Sequence, residues 1–305
     1  MSILLCGVRS EPPLALVNKA LNKLSQEVVW FDQVQSKNTS ISYINENNRY
    51  KAILTKHGKE YDLGSLTGIY NRMMSWQCLP EIKLRGIESD LARQYQQLHY
   101  GLSQWIESSQ IRVVNRMVTM GPNGSKPYQA RLIRHAGLDT PETIITNNKN
   151  AVKVFKKKHK RIIYKSISGT RSIVKELCEK DEHRLRLLEN CPVMFQEYIP
   201  GVNIRVHVVD NNVYATKINS QAIDYRYDED ATGNAYEETT IPNEIKDKCI
   251  SMSKKMNLPL CGIDFKKTNS NRFVCFEVNP SPAYSCYEEQ TGQPISLAIA
   301  KYLSN

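Results

Sequence analysis

The sequence lacks the patterns that mark several common classes of protein. Its eight cysteines are scattered, with no C-x-x-C pair and no histidine close by at ligand spacing. This distribution argues against a zinc site or a disulfide framework, so we expect reduced, mostly buried thiols. No apolar run is long enough to cross a bilayer, and no basic leader with a cleavage site opens the sequence. We therefore expect a soluble, cytoplasmic protein with no membrane partner.

The charge is unbalanced towards the basic side. There are 41 basic and 31 acidic residues, which leaves a formal net charge of +10. Such an excess can attract nucleotides, nucleic acid or an acidic peptide. Lysines are densest between residues 153 and 160, but no aromatic residues alternate with them to stack on bases. The lysine run is typical of a solvated helix face, and we do not expect nucleic acid as a partner.

The length indicates more than one packing unit. A chain of 305 residues exceeds one ordinary hydrophobic core, so two or three subdomains are expected. Over the first third, short apolar runs such as 3–5, 28–31 and 52–54 alternate with segments of helical spacing. This alternation predicts a small α/β domain at the start of the chain.

Two short runs near the end of the chain, 261–265 and 273–278, predict an antiparallel hairpin around a polar turn. Glu277 and Asn279 project from one face because they are two residues apart. A two-residue loop at 270–271 would place Asp264 directly opposite Glu277. Two carboxylates that close repel each other unless a cation lies between them, and Mg²⁺ prefers oxygen ligands. The alternative is a solvated sheet face, against which the apolar neighbours of the two acids argue.

A second polar segment follows a strand that ends at Lys165. The segment Ser168-Gly169-Thr170 is small and rich in hydroxyl groups, so its backbone N–H groups could surround phosphate oxygens, with the lysine as a point charge. The sequence contains neither G-x-G-x-x-G nor a Walker pattern. On its own, this loop could equally be a plain hairpin turn.

The apolar strand 193–199 breaks at Pro200-Gly201, and its backbone could pair with the edge of an adenine, although a buried core strand explains the apolar residues equally well. Two alternating strands follow, separated by a turn at 210–212. Arg205 and His207 share one face of the first strand, and Lys217 and Asn219 share one face of the second. Buried cations require anions, and phosphate is a natural candidate. His207 by itself is more typical of a structural residue.

Taken in chain order, these segments resemble the ATP-grasp family, and within it the RimK-like and glutathione-synthase-like ligases. The resemblance covers nearly the whole chain and is clearest from 115 to 303. It is carried by IIYKSISGTRS, FQEYIPG, NIRVHVV, VYATKINSQ, DYR, GIDF and FEVNPSP. The runs NGSKPYQ, TIITNN and NPSPAYSCYEEQTGQPI are also similar to those of the ATP-grasp ligases that macrocyclise ribosomal peptides, the microviridin or graspetide type.

The resemblance implies an α/β ATP-grasp fold with three parts. These are a small N-terminal α/β domain at 1–115, a central lid-like subdomain with the phosphate loop at 116–196, and a C-terminal antiparallel-sheet subdomain with the Mg²⁺ site at 197–305. It also implies an ATP-dependent ligase that joins a carboxylate to an amine or a hydroxyl through an acyl phosphate. The expected cofactors are ATP and Mg²⁺, with Mn²⁺ as a substitute, and the expected substrate is an acidic peptide or an amino acid.

The same resemblance assigns the site residues. It assigns Asp264, Glu277 and Asn279 to the metal ion. It assigns the nucleotide contacts to Lys126, Lys165, Ser168, Gly169, Thr170, Gln196, Glu197, Tyr198 and Ile199, with the Glu197 carboxylate as a ribose acceptor. It places Arg205, Lys217 and Arg226 around the γ-phosphoryl group as the catalytic residues.

Two alternatives remain from the sequence alone. One is a ligase for small amino acids, of the glutathione-synthase type, and the other is a nucleotide-binding module without catalysis. The intact acid and amide set argues against the second. Many relatives assemble, but the sequence leaves the oligomeric state open between a monomer and a homo-oligomer.

Overall fold

The computed structural model describes residues 2–46, 49–167, 173–220 and 235–305. The chain forms two compact units. The first comprises Met1–Met120, Asn257–Leu260 and Ser281–Asn305, and the second comprises Gly121–Met256 and Cys261–Pro280. The predicted division at residues 115 and 196 stays a prediction.

The first unit begins with alternating strands and helices. They are β1 (Ser2–Gly7), α1 (Pro12–Lys23), β2 (Glu27–Asp32), β3 (Thr39–Glu46), β4 (Arg49–Lys56), β5 (Lys59–Asp62), β6 (Leu66–Asn71), α2 (Pro80–Arg85), α3 (Asp90–Ser108) and β7 (Arg112–Val114). A parallel sheet has the order β2-β1-β6-β7, and β3, β4 and β5 form an antiparallel sheet. The central strand β1 is fully buried from Ile3 to Cys6, as expected for a parallel strand inside an α/β sheet.

Within the described residues, the second unit contains two sheets and three α-helices. Its elements are α4 (Lys126–His135), β8 (Thr143–Thr146), α5 (Lys149–His159), β9 (Ile162–Lys165), β10 (Lys175–Glu176), β11 (Val193–Glu197), β12 (Val202–Val209), β13 (Asn212–Asn219), β14 (Ala235–Thr239), α6 (Asn243–Lys255), β15 (Leu260–Lys267) and β16 (Phe273–Asn279). One sheet has the order β10-β9-β11-β8, and the other has the order β14-β13-β12-β15-β16.

Two hydrogen bonds of the Gln129 side chain join helix α4 to the edge strand β16. The Gln129 amide nitrogen donates to the Val278 carbonyl at 2.8 Å, and the Val278 N–H donates to the Gln129 carbonyl oxygen at 3.0 Å. The glutamine therefore pairs with the open edge of the strand as another strand would. This contact sets the position of α4 beside Glu277 of β16.

The first unit closes with α7 (Ser285–Thr291) and α8 (Ile295–Ser304), and α8 packs on α1 and β6. Gly68 of β6 allows this packing, because an added Cβ would lie 2.5 Å from the Leu303 carbonyl oxygen. Among the described residues, no helix combines the length and the apolar character that crossing a bilayer requires.

Candidate functional site

The β15–β16 hairpin pairs Asp264 with Glu277, as predicted, and pairs Gly262 with Asn279. The two acids therefore face each other on adjacent strands, and Asn279 extends the same face by one pair. The set offers carboxylate and amide oxygens only, which suits a hard cation such as Mg²⁺. No group of three or more His, Cys, Asp or Glu within the described ranges is arranged to hold a metal ion. The predicted metal-binding set contains only two residues of these types, Asp264 and Glu277, because its third member, Asn279, is an amide.

The loop that produces this pairing is not the predicted one. The Thr268 N–H donates to the Arg272 carbonyl at 2.9 Å, and Asn271 has a φ of +59°, so the loop has three residues rather than two. The longer loop shifts the register by one, and Phe265 faces Cys275. A β-bulge at Phe276 then restores the register before the two acids.

Arg205 of β12 lies on the same face as the acids. Its Nη1 donates to Asp264 Oδ1 at 2.7 Å, and only 7% of its side chain is exposed. Its Nε donates to His207 Nε2 at 3.4 Å. Burial, and secondarily the charge of Arg205, hold the pKa of His207 well below its usual range. The structure thus brings one predicted catalytic residue directly to a predicted metal ligand.

Lys217 lies on the opposite face of the sheet. Arg205 pairs with Thr216 across β12 and β13, and paired residues share a face, so the next residue along β13 projects away from Arg205. The Lys217 Nζ lies 3.2 Å from Glu237 Oε2 on β14. The structure therefore does not bring Arg205 and Lys217 together at the acids.

A cavity of about 660 Å³ lies in the second unit and is lined by α4 and by parts of β8, β9, β11 and β16. Four predicted site residues line it: Lys126, Lys165, Gln196 and Glu277. Three of these were assigned to the nucleotide and one to the metal ion. The structure thus brings one predicted metal ligand and three of the predicted nucleotide contacts to a single cavity.

Basic and apolar side chains both line the cavity. Arg131 and Arg134 of α4 line it beside the two lysines, and sequence reasoning did not find them. Arg134 lies two helical turns after Lys126, but this spacing is equally typical of a solvated helix face. The apolar wall is formed by Ile145, Met194, Cys275 and Phe276.

Gln196 presents a buried acceptor at this cavity. The residue is 6% exposed, and its amide nitrogen donates to Thr143 Oγ1 at 3.0 Å. Its carbonyl oxygen is buried and accepts no hydrogen bond from the part of the chain that the structure describes. A buried acceptor is costly to leave unpaired, so this oxygen fits the amino group of a ligand.

The rest of the predicted hinge faces elsewhere. Glu197 follows Gln196 on β11 and therefore projects from the other face of the strand. Its Oε1 accepts the Glu142 N–H at 2.8 Å, and its Oε2 lies 3.7 Å from His159 Nδ1. Its side chain does not line the cavity, and the predicted ribose contact finds no support in this placement.

The remaining predicted residues are placed as follows. The Arg161 guanidinium carbon lies over the Tyr198 ring, 3.8 Å from its centroid. Ile199 is buried, with 9% of its surface exposed. Neither side chain lines the cavity. Four predicted residues lie outside the described residues: Ser168, Gly169, Thr170 and Arg226.

The family model described as the RimK-like ATP-grasp domain matches residues 125–303. The chain belongs to the RimK-like ATP-grasp family. A curated relative, the probable alpha-L-glutamate ligase 2 of Pseudoalteromonas atlantica, is 26% identical to it over 201 residues, which is 62% of this chain and 66% of the relative. The match therefore spans just under two thirds of that relative's length.

Solved structures show the same fold. The RiPP-associated ATP-grasp ligase of Chryseobacterium gregarium, in complex with ADP and a leader and core peptide, superposes with a TM-score of 0.86 at 20% identity, covering 99% of this chain and 96% of that one. The macrocyclase MdnC of Microcystis aeruginosa, bound with the precursor peptide MdnA, gives 0.82 at 24% identity and covers all of both chains. The ligase PsnB, complexed with a phosphomimetic precursor variant, Mg and ADP, gives 0.79 at 24%, covering 100% of this chain and 98% of that one. The predicted ATP-grasp fold is confirmed.

Proposed function

We propose that this chain is an ATP-dependent ligase that activates a carboxylate as an acyl phosphate. A carboxylate oxygen attacks the γ-phosphorus of ATP and ADP leaves. An amine or hydroxyl then attacks the acyl carbon, phosphate leaves, and the nucleophile loses its proton. The observation that carries this proposal is the cavity, which combines a buried Gln196 acceptor, four cations and Glu277.

The adenine end of the nucleotide fits the apolar wall. Met194, Phe276 and Ile145 line the cavity with Gln196, and they supply a surface suited to a flat purine ring. The exocyclic amine of adenine donates two hydrogens, and the Gln196 carbonyl oxygen is an acceptor. A guanine would present a carbonyl oxygen at the corresponding position, which an acceptor disfavours.

The triphosphate end fits the cations. Lys126, Lys165, Arg131 and Arg134 line the cavity and would balance the charge of the phosphates. Asp264, Glu277 and Asn279 would hold Mg²⁺, or Mn²⁺ in its place, and the ion would neutralise charge that develops on the phosphate oxygens. The assigned contacts of residues 168–170, Lys217 and Arg226 stay predictions.

A peptide is the substrate that we favour. The net charge of +10 speeds encounter with an acidic partner, and the three structural neighbours described above are bound to peptides that their names call precursor or leader and core. The alternative is the transfer of single amino acids, which the glutamate ligase name of the curated relative favours. An acidic peptide encoded beside this chain, with repeated Thr or Ser and Asp or Glu, would support macrocyclisation.

Thermal unfolding with and without Mg·ATP tests nucleotide binding first. A ligand that binds only the folded state at 100 times its Kd adds about 2.7 kcal/mol to the free energy of unfolding. We expect Mg·ATP to raise the unfolding midpoint and Mg with inorganic tripolyphosphate to raise it less. An unchanged midpoint with Mg·ATP would contradict the proposal.

Mass spectrometry then separates a ligase from a binding module. With a substrate peptide, a ligase consumes one ATP for each amide or ester bond, and each bond removes one water from the peptide. The matched control peptide carries Asn and Gln in place of Asp and Glu, and it should not react. ATP binding without any product would favour the non-catalytic alternative. Binding that is indifferent to ATP and weakens steeply with salt would favour nucleic acid.

A further inference from the structure

The presence of glycine at position 262 requires an explanation. It lies inside β15 and is buried, and its φ is not in the left-handed region. A glycine within a strand weakens it, because the residue has no side chain to pack and loses more conformational entropy than others on folding. The three atoms nearest to an added Cβ all belong to the Arg205 side chain. An added Cβ would lie 2.6 Å from Cζ and 2.9 Å from Nε of Arg205, and closer still to Nη2.

The Arg205 guanidinium is therefore held from three directions. Its Nη1 donates to Asp264, its Nε donates to His207 Nε2, and its plane rests where the Gly262 side chain would be. Because His207 Nε2 accepts this bond, its proton is on Nδ1 and the ring is neutral. A protonated ring would have no acceptor and would place a second positive charge beside Arg205.

We propose that Gly262 and His207 are positioning residues that fix the Arg205 guanidinium against Asp264. The inference rests on the proposed function, because Arg205 matters for catalysis only if Asp264 and Glu277 hold the metal ion of an ATP site. Gly262 supplies the space and His207 supplies the acceptor. Neither residue needs to touch the nucleotide. Any side chain at position 262 would have to displace the guanidinium and break its bond to Asp264.

A double-mutant cycle tests the role of Gly262. We expect Gly262→Ala to lower ATP turnover, followed as ADP release, by about 10²-fold, the usual loss for an oriented donor. In an Arg205→Ala background the same change should cost no more than about twofold, because the atoms that clash are gone. A glycine needed only for strand packing would cost the same factor in both backgrounds, and this result would overturn the proposal. Gly121→Ala is the matched control, since nothing lies within 4 Å of its added Cβ.

A pair of substitutions tests His207. Glutamine keeps an acceptor in the side chain and leucine does not, so His207→Gln should keep turnover within about threefold while His207→Leu loses about tenfold or more. Equal losses in the two variants would show that only packing matters and would overturn the acceptor role. This pair also decides the proposal if Gly262→Ala does not fold.

A readout without nucleotide separates this inference from the proposed function. The six histidines can be labelled with carbon and nitrogen isotopes for NMR spectroscopy. In the wild type, the chemical shifts of the His207 ring should be those of a neutral ring with its proton on Nδ1. Both Gly262→Ala and Arg205→Ala should move that signal, and Gly121→Ala should not. An unmoved signal in Gly262→Ala would refute the positioning role. Absence of Mg·ADP binding by the wild type in calorimetry would instead refute the proposed function.

Discussion

The buried carbonyl oxygen of Gln196 leads us to predict that the site selects adenine over hypoxanthine. We expect Mg·ADP to bind more tightly than Mg·IDP, whose base carries an oxygen where adenine carries the amino group. With ADP the amine donates to the glutamine oxygen. With IDP the same oxygen stays buried, with no donor, and faces another acceptor. The comparison replaces the 6-amino group of the base by an oxo group, which also turns ring N1 from an acceptor into an N–H donor, and it changes nothing in the protein.

The magnitude follows from the burial of the site. Gln196 is 6% exposed, so its carbonyl oxygen has little access to water. Leaving a buried acceptor unsatisfied costs about 1–3 kcal/mol. At 1.4 kcal/mol for each factor of ten, this corresponds to about 5- to 150-fold in Kd. Gln196→Leu removes the acceptor and roughly preserves the volume, so the ADP to IDP ratio should fall to within about threefold.

The orientation of the amide depends on Thr143. Because the Gln196 amide nitrogen donates to Thr143 Oγ1, the carbonyl oxygen is left to accept from a ligand. Thr143→Val removes that acceptor with little change in shape and allows the amide to turn over. The ADP to IDP ratio should then fall part of the way towards that of Gln196→Leu, whereas Thr143→Ser should preserve it.

Isothermal titration calorimetry with the two Mg·nucleotides measures every ratio in this set. The reasoning fails if the wild type binds both nucleotides equally, or if Gln196→Leu keeps the full preference for ADP. A Thr143→Ser variant that behaves like Thr143→Val would show that the hydroxyl does not orient the amide. Circular dichroism confirms that each variant is folded before its ratio is compared.

Three further predictions concern catalysis, stability and thiol chemistry. Glu277→Gln or Lys165→Ala should lower ATP turnover by at least about 10²–10³-fold while leaving the far-UV circular dichroism unchanged; unchanged ATP consumption in either variant would refute its assignment. Arg72→Met should lower the free energy of unfolding in urea by about 3–5 kcal/mol, because its side chain is 7% exposed and pairs with a glutamate at 2.5 Å. The control Arg93→Met, in a pair 65% exposed on the arginine side, should cost less than about 0.5 kcal/mol, and equal costs would show that burial of the pair does not matter. Burial raises the pKa of the Cys261 thiol to about 12 and also raises the pKa of the other three buried cysteines. At pH 8, Ellman's reagent should therefore react with the four exposed thiols of the folded protein and with all eight thiols in urea.

Much of the fold and part of the site could be predicted from local sequence patterns. The alternation of apolar runs with helical spacing predicted the α/β character of the first unit, and its central strand is buried as expected. Lys165 was found because its strand precedes a polar, glycine-bearing segment, and Gln196 was found because the run FQEYIPG resembles that of the family; both line the cavity. These signals are local, since each depends on residues within one strand and the turn after it.

Arg131 and Arg134 could not be found in this way. They belong to the cavity because α4 packs beside β16, a contact made by the Gln129 amide with the backbone of Val278, 149 positions further along the chain. A helix carrying several cations is more often a solvated face than one wall of a site. Only the long-range contact distinguishes the two, and no pattern within the helix encodes it.

The two hairpins of the five-stranded sheet show why registers are the hardest step. In each, the predicted loop length is wrong by one residue. Between β12 and β13 the loop has two residues, Asp210 and Asn211, instead of three, and Val209 pairs with Asn212. A slip of one residue moves every side chain of a strand to the other face, so Lys217 lies opposite the face of Arg205.

In the β15–β16 hairpin the error runs the other way, because the loop has three residues instead of two. The bulge at Phe276 adds one residue to β16 and cancels the slip, so Asp264 faces Glu277 after all. A bulge has no strong sequence signal here, yet it decides which face carries the acid. Insertion of one alanine between Phe276 and Glu277, with the loop unchanged, should therefore turn Glu277 away from Asp264 and abolish Mg·ADP binding in calorimetry, and unchanged binding would refute this account of the register.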